Sequence, residues 1–276
     1  MNASANPEIG QSILANGIAT NYHDLGSGSP VLLIHGSGPG VTGWANWRMT
    51  LPELARKYRA IAPDMVGFGY TERPAGIDYN FDTWVNHAIG FLDALGLEEV
   101  DLIGNSFGGG LSLALAIRHP ARIRRLVLMG AVGVHFELTP GLDAVWGYEP
   151  SVENMRALLD VFAFNRDLMT DELARMRFEA STRAGVQEAY RAMFPAPRQR
   201  WIEAMASDEA EIAALPHETL IFHGREDQVI PVSNAHRFAE LIRHSQLHVF
   251  GECGHWTQIE RADRFSRMVI DFFSET

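Results

Sequence analysis

Val100-Asp101-Leu102-Ile103-Gly104-Asn105-Ser106-Phe107-Gly108-Gly109-Gly110-Leu111-Ser112-Leu113-Ala114-Leu115-Ala116-Ile117 is the stretch on which the fold turns. An apolar, strand-like run, Val100 to Ile103, leads into Gly104-Asn105-Ser106-Phe107-Gly108, and a small, apolar run of helical character follows. Strand, G-x-S-x-G and helix, in that order, make a nucleophile elbow. So sharp a turn strains the backbone of the serine, and glycines on either side remove the Cβ atoms that would clash. The hydroxyl then stands above a sheet at the head of a helix, where backbone N–H groups meet developing negative charge. The pentapeptide alone is common; its flanks make Ser106 a catalytic candidate rather than a small residue in a tight turn.

Outward from the elbow, strand-like and helix-like segments alternate. Strands are expected at Ile18 to Leu25, Val31 to Ile34, Tyr58 to Ala62, Val100 to Ile103 and Leu126 to Met129, with helices at Asn46 to Arg56 and Phe81 to Leu95. From Gly133 to Ala206 no strand stands out and helical periodicity accumulates, as in Met155, Leu158, Leu159 and Phe162. The alternation resumes with strands at Thr219 to His223 and Gln246 to Phe250 and helices at Pro231 to Ile242 and Arg261 to Phe273. This order predicts an α/β fold, a mostly parallel sheet with helices on both faces. The expected organisation is a core of residues 1–132 and 207–276 interrupted by a helical cap, 133–206.

A serine hydroxyl needs a base, and the base an acid, in the chain order Ser, acid, His. His255 follows the last strand in Gly251-Glu252-Cys253-Gly254-His255-Trp256 and is the expected base among eleven histidines. The acid should follow the preceding strand, where Asp227 is preferred to its neighbour Glu226; His223, inside that strand, reads as a core histidine. An oxyanion requires two donors. The expected pair is the N–H of Phe107, directly after the nucleophile, and that of Ser37 in the loop His35-Gly36-Ser37-Gly38-Pro39-Gly40. That loop is not a dinucleotide fingerprint, because Val41 takes the place of the third glycine, and His217-Glu218 is not the start of a zinc helix, because Ile221 stands where the second histidine belongs. No metal and no cofactor are expected.

Composition narrows the partners. A formal charge of −11 argues against nucleic acid or an anionic membrane as a main partner. The single cysteine, Cys253, excludes an intrachain disulfide and fits a cytoplasmic setting. It reads as a packing residue rather than a rival nucleophile. Met1 to Gln11 has no basic-then-apolar leader pattern, and no apolar run of about 18 residues is present to span a membrane. The expected partner is a small molecule. Oligomeric state is not legible, so a homo-oligomer stays open.

Several segments carry a specific likeness: HGSGPGVTGWANW (His35 to Trp47), APDMVGFGYTERP (Ala62 to Pro74), GNSFGGG (Gly104 to Gly110), GLDAVWGY (Gly141 to Tyr148), MFPAPRQRW (Met193 to Trp201), HGREDQVIP (His223 to Pro231) and GHWTQIE (Gly254 to Glu260). Through them essentially the whole chain resembles the meta-cleavage product hydrolases of the α/β-hydrolase superfamily, most closely those acting on products of monoalkylbenzenes. One departure is Thr71, where many superfamily members carry serine. The resemblance implies an eight-stranded sheet. It also implies cleavage of a carbon–carbon bond in 2-hydroxy-6-oxohexa-2,4-dienoates, such as 2-hydroxymuconic semialdehyde or 6-alkyl analogues, to 2-hydroxypenta-2,4-dienoate and a carboxylic acid. It further implies that Arg183 holds the substrate carboxylate, that Asn46 and Asn105 lie near the dienol oxygen and carboxylate, and that Trp256 packs over the same region. A carboxylesterase of the same fold and a catalytically silent ligand-binding relative are the alternatives. A dehalogenase with a carboxylate nucleophile is excluded by the serine at 106.

Overall fold

The computed structural model describes residues 6–275; Met1–Ala5, the beginning of the stretch read above for a leader, and Thr276 lie outside the described residues. Eight strands, β1 (Gln11–Ala15), β2 (Ile18–Gly26), β3 (Pro30–Ile34), β4 (Arg59–Pro63), β5 (Val100–Asn105), β6 (Ile123–Met129), β7 (Thr219–Gly224) and β8 (Ser245–Phe250), form one sheet. Their order is β1-β2-β4-β3-β5-β6-β7-β8. Strand β2 runs antiparallel to β1 and β4, and the remaining neighbours are parallel. The strand not anticipated segment by segment is β1, joined to β2 by Asn16-Gly17, both with positive φ.

The central strands are apolar on both faces because each face carries helices. Leu32, Ile34, Leu102 and Leu128 pack toward the helices Phe81–Ala94 and Phe107–Arg118. Their sequence neighbours Val31, Leu33, Ile103 and Val127 point the other way, onto Trp47, Phe265 and Val269. This is the two-residue period of a strand applied to a sheet buried on both sides.

The expected helix Asn46 to Arg56 is instead two short helices, Gly43–Trp47 and Leu51–Leu54. Pro52 explains the break: it has no N–H to donate and its ring would meet the carbonyl one turn back, so it is accommodated only in the first turn of a new helix. The first of these helices is capped by Thr42, whose side chain accepts from the Ala45 N–H at 2.9 Å. Asn46 is therefore inside the helix rather than at its cap. Thr71 uses its hydroxyl as a serine could, donating to the Asp64 carbonyl at 2.7 Å and accepting from the Asn21 N–H at 2.9 Å.

Between β6 and β7 the chain is helical, with Pro140–Trp146, Val152–Phe162, Asp171–Ser181, Val186–Met193 and Gln199–Met205 preceding the short Glu209–Ala213. No strand falls between residues 133 and 206.

The elbow is made possible by glycine. A Cβ on Gly104 would sit 2.2 Å from the Gly108 carbonyl oxygen, and one on Gly108 would sit 2.4 Å from that of Ile34. Both obstacles are backbone, so neither can swing aside. Gly108→Ala is expected to cost about 1–3 kcal/mol of stability, or about 2–6 °C in melting temperature. A thermal melt unchanged from the parent would contradict this close approach of helix to sheet.

Candidate active site

Ser106 follows β5 directly, at φ 56 and ψ −116. Its N–H donates to the Met129 carbonyl at 2.9 Å and its own carbonyl accepts from the Gly109 N–H at 2.9 Å, so strand and helix together hold the strained residue. His255 lies beyond β8. Its backbone N–H donates to the Phe162 carbonyl at 2.7 Å, and its ring stacks on the Phe162 ring with centroids 6.1 Å apart. A residue from the helical insert thus helps to place the imidazole.

Behind the ring, His255 Nδ1 donates to Asp227 Oδ2 at 2.7 Å. The other carboxylate oxygen accepts from the N–H groups of Val229 at 2.7 Å and Ile230 at 2.9 Å. His223 Nε2 stands 3.2 Å from Oδ2 and 3.0 Å from the Ile230 carbonyl. Burial by itself would raise the Asp227 carboxyl, but the facing charge of His255 and the hydrogen bonds from His223 and His255 outweigh it, leaving the group well below the usual carboxylate range. Glu226 is turned away, pairing with Arg225 at 2.9 Å and accepting from the Cys253 N–H at 3.0 Å. The acid that geometry couples to the imidazole is therefore Asp227. Cys253 is fully buried, and burial pushes its thiol up to about 12, which removes it as a nucleophile.

Ser106 and His255 open onto one cavity of about 280 Å³. Among the described residues no direct hydrogen bond joins the serine hydroxyl to the ring; catalytic hydrogen bonds commonly close up only around substrate. Ser37 also lines the cavity. Its hydroxyl accepts from Trp146 Nε1 at 3.0 Å and its carbonyl accepts from the Tyr190 hydroxyl at 3.0 Å, so the helical insert fixes this loop. The neighbouring His35 accepts at Nε2 from the Met65 N–H at 2.9 Å, which makes Nδ1 the protonated nitrogen, donating to the Gly36 carbonyl at 2.7 Å. Burial brings its pKa down to about 4, so it braces the loop as a neutral ring. Neither the Ser37 nor the Phe107 N–H has a hydrogen-bond acceptor among the described residues, as a preformed oxyanion site requires.

The wall around Ser106 is mainly apolar, with Leu142, Val145, Leu159, Phe162 and Val229. Asn46, Asn105 and Trp256 line the cavity. Trp256 stacks on Phe162 at 4.7 Å. Asn105 donates to the Met129 carbonyl at 3.3 Å, while Asn46 keeps a buried Nδ2 without a partner. Gln258, not anticipated, also lines the cavity and carries a buried Oε1 without a partner.

Arg183 is the residue placed elsewhere. Its guanidinium lies 3.8 Å from the centre of the Tyr70 ring, its Nε donates to the Ala180 carbonyl at 3.1 Å, and it takes no part in the cavity wall. The reason is positional: the helix Asp171–Ser181 has already ended at Thr182, and the turn that follows carries Arg183 away. The guanidinium that reaches the cavity is Arg177, on the same buried stripe as Ala174 and Ser181. Arg177 is 8% exposed. It donates to Glu8 at 2.7 Å and to the Gly40 carbonyl. A second cation, Arg48, lines the same cavity. The sign available in the sequence was an arginine at i, i+3, i+7 with Ala174 and Ser181, a cation on an inward face.

Comparison with known proteins matches residues 29–262 to the family model described as alpha/beta hydrolase fold. The chain is 64% identical over 276 residues to the 2-hydroxymuconate semialdehyde hydrolase of Pseudomonas sp. strain CF600, covering 100% of this chain and 98% of the relative. It is also 64% identical to the 2-hydroxy-6-oxo-2,4-heptadienoate hydrolase of Pseudomonas putida strain F1, over 98% of each. Among solved structures it superposes with a TM-score of 0.96, at 62% identity, on a serine-to-alanine variant of a meta-cleavage product hydrolase from Pseudomonas fluorescens IP01 complexed with acetates, covering 97% of this chain and 98% of that one.

Proposed function

This chain belongs to the α/β-hydrolase family and, within it, to the meta-cleavage product hydrolases, and on that basis we propose that it is a serine-dependent hydrolase cleaving a carbon–carbon bond in 2-hydroxy-6-oxohexa-2,4-dienoates during aromatic degradation. The reading assigns Ser106, His255 and Asp227 as the triad, Ser37 and Phe107 as the oxyanion donors, and residues 133–206 as the cap. The reading places it in the cytoplasm, the setting that its single cysteine fits.

The observation that carries the substrate assignment is the polarity of the cavity. A neutral ester needs only the triad and an apolar slot. This cavity adds the buried guanidinium of Arg177 and the unpartnered amide atoms of Asn46 and Gln258, a natural seat for a carboxylate with an adjacent enol oxygen.

The steps follow from that pose. The dienol ketonises as its 2-hydroxyl proton is lost and a proton is gained at C5, leaving a C2 carbonyl conjugated to the C3–C4 double bond. His255 takes the proton of Ser106 as the oxygen adds to the C6 carbonyl, whose developing oxyanion faces the N–H groups of Ser37 and Phe107. The C5–C6 bond then breaks; its electron pair moves through C4 and C3 onto the C2 oxygen, and 2-hydroxypenta-2,4-dienoate leaves after protonation. Water, deprotonated by His255, displaces the serine from C6 and gives the carboxylic acid, formate when C6 carries hydrogen.

The test is to follow loss of the yellow dienoate and to compare its kcat/KM with that of a neutral aryl ester. A dienoate preference supports the reading; an ester preference favours a carboxylesterase. Arg177→Gln is expected to raise KM for the dienoate by about tenfold or more, as loss of a charge-assisted hydrogen bond would. Arg183→Gln is expected to change it by less than about twofold. The reverse ranking would return the carboxylate to Arg183.

A further inference from the structure

Arg48 follows the helix Gly43–Trp47 and reaches the same cavity as Arg177. Its one hydrogen bond among the described residues runs from Nη1 to the Ala45 carbonyl at 2.9 Å, and no carboxylate lies within ion-pair distance of it there. Burial, then the neighbouring charge of Arg177, pushes its pKa downward, with Glu8 opposing. Arg177 is differently placed: its charge is already met by Glu8 at 2.7 Å. The cavity therefore receives two guanidinium groups, of which Arg177 is met by a carboxylate, and Arg48 is the cation left without a counter-ion. A half-buried guanidinium beside a like charge is costly unless an anion completes the arrangement.

The substrate class proposed above brings two oxygen functions at one end, the C1 carboxylate and the 2-oxygen, which becomes an enolate as the dienol loses its proton. We infer that Arg48 is a substrate-positioning residue that binds this anionic end and supplies the positive charge that Glu8 withdraws from Arg177. The inference rests on the dienoate reading of the site. Arg177, tied to both Glu8 and Gly40, fixes direction; Arg48, with N–H groups not committed to protein acceptors, neutralises the bound anion. The geometry asks for charge at this point more than for a planar fork, so lysine should serve in part.

The experiment uses the full chain and 2-hydroxymuconic semialdehyde as probe, with Arg48→Gln and Arg48→Lys made both in the parent and in a Ser106→Ala background. Arg48→Gln is expected to raise KM by about tenfold to a hundredfold, the range of one charge-assisted hydrogen bond. Its kcat should change by less than about threefold, because the interaction is present before the chemical step. Absorbance titration in the Ser106→Ala background should show Kd rising by the same factor, and Arg48→Lys should recover most of the loss. Should Arg48→Gln not fold, the KM and Kd of Arg48→Lys must still lie between those of the parent and a tenfold loss. Parental KM and Kd in both variants, with the parent still bleaching the dienoate, would overturn the role of Arg48 alone. A fall in kcat with unchanged Kd would overturn it as well. A parent protein that neither binds nor bleaches the dienoate would overturn the dienoate reading and this inference with it.

Discussion

Ser106→Ala should reduce kcat for dienoate cleavage by about four to six powers of ten, the loss found when a serine nucleophile is removed from a triad, while the yellow substrate still binds. The separation of binding from turnover follows from where the parts sit. The oxyanion N–H groups belong to the backbone, and the cations belong to Arg177 and Arg48, so none of them depends on the serine hydroxyl. The elbow itself should survive, because Gly104 and Gly108 provide the clearance and Met129 provides the backbone hydrogen bond to residue 106. The check is stopped-flow bleaching beside an equilibrium titration. Turnover within about tenfold of the parent would remove Ser106 from the chemistry.

Asp227→Asn should reduce kcat by about four powers of ten with the structure intact, through the wrong imidazole tautomer rather than lost packing. Oδ1 already accepts from the N–H groups of Val229 and Ile230. An asparagine can keep those bonds with its carbonyl oxygen, but its amide then presents N–H to His255 Nδ1, leaving the proton on the nitrogen that should act as base. The variant should also respond differently to acid. Asp227 is held below its ordinary value of 3.8 in the folded chain, so its ionised form adds stability that is fully present above that pH and is lost as the pH falls below it. The difference in stability between parent and Asp227→Asn should therefore shrink as the pH drops below about 3.8. A constant difference across that range would deny the coupling between Asp227 and its histidine partners.

Much of this architecture could be read before any coordinates, and for stated reasons. The elbow declared itself because a strained serine between two obligatory glycines leaves a local imprint, and Asp227 and His255 were assigned by their places after β7 and β8, where the structure sets them 2.7 Å apart. What escaped were features set by tertiary context or by a turn too small to weigh. Asn16-Gly17 is a two-residue hairpin signal. The strand before it, β1, is short and mostly exposed, with little apolar alternation to mark it. The Asn46 to Arg56 stretch had adequate helical composition, and Pro52 divided it. Arg183 and Arg177 differ by six positions on and just after one helix, and the resemblance pointed to Arg183 alone. The end of the helix at Thr182 decided it, together with the buried stripe shared by Ala174, Arg177 and Ser181. Glu8 and Arg48 carried no local mark at all, since each matters only through a side chain brought to it from far along the chain.

The central claim is that the nucleophile at the end of β5 breaks the C5–C6 bond of an anionic dienoate held by the cations of the cavity. The most direct measurement is product stoichiometry: purified protein is mixed with 2-hydroxymuconic semialdehyde, and formate and 2-hydroxypenta-2,4-dienoate are quantified as the colour disappears. The account predicts the two products in equal amounts, each matching the substrate consumed. Loss of colour without formate, or no loss of colour by a protein that turns over a neutral ester, would contradict it.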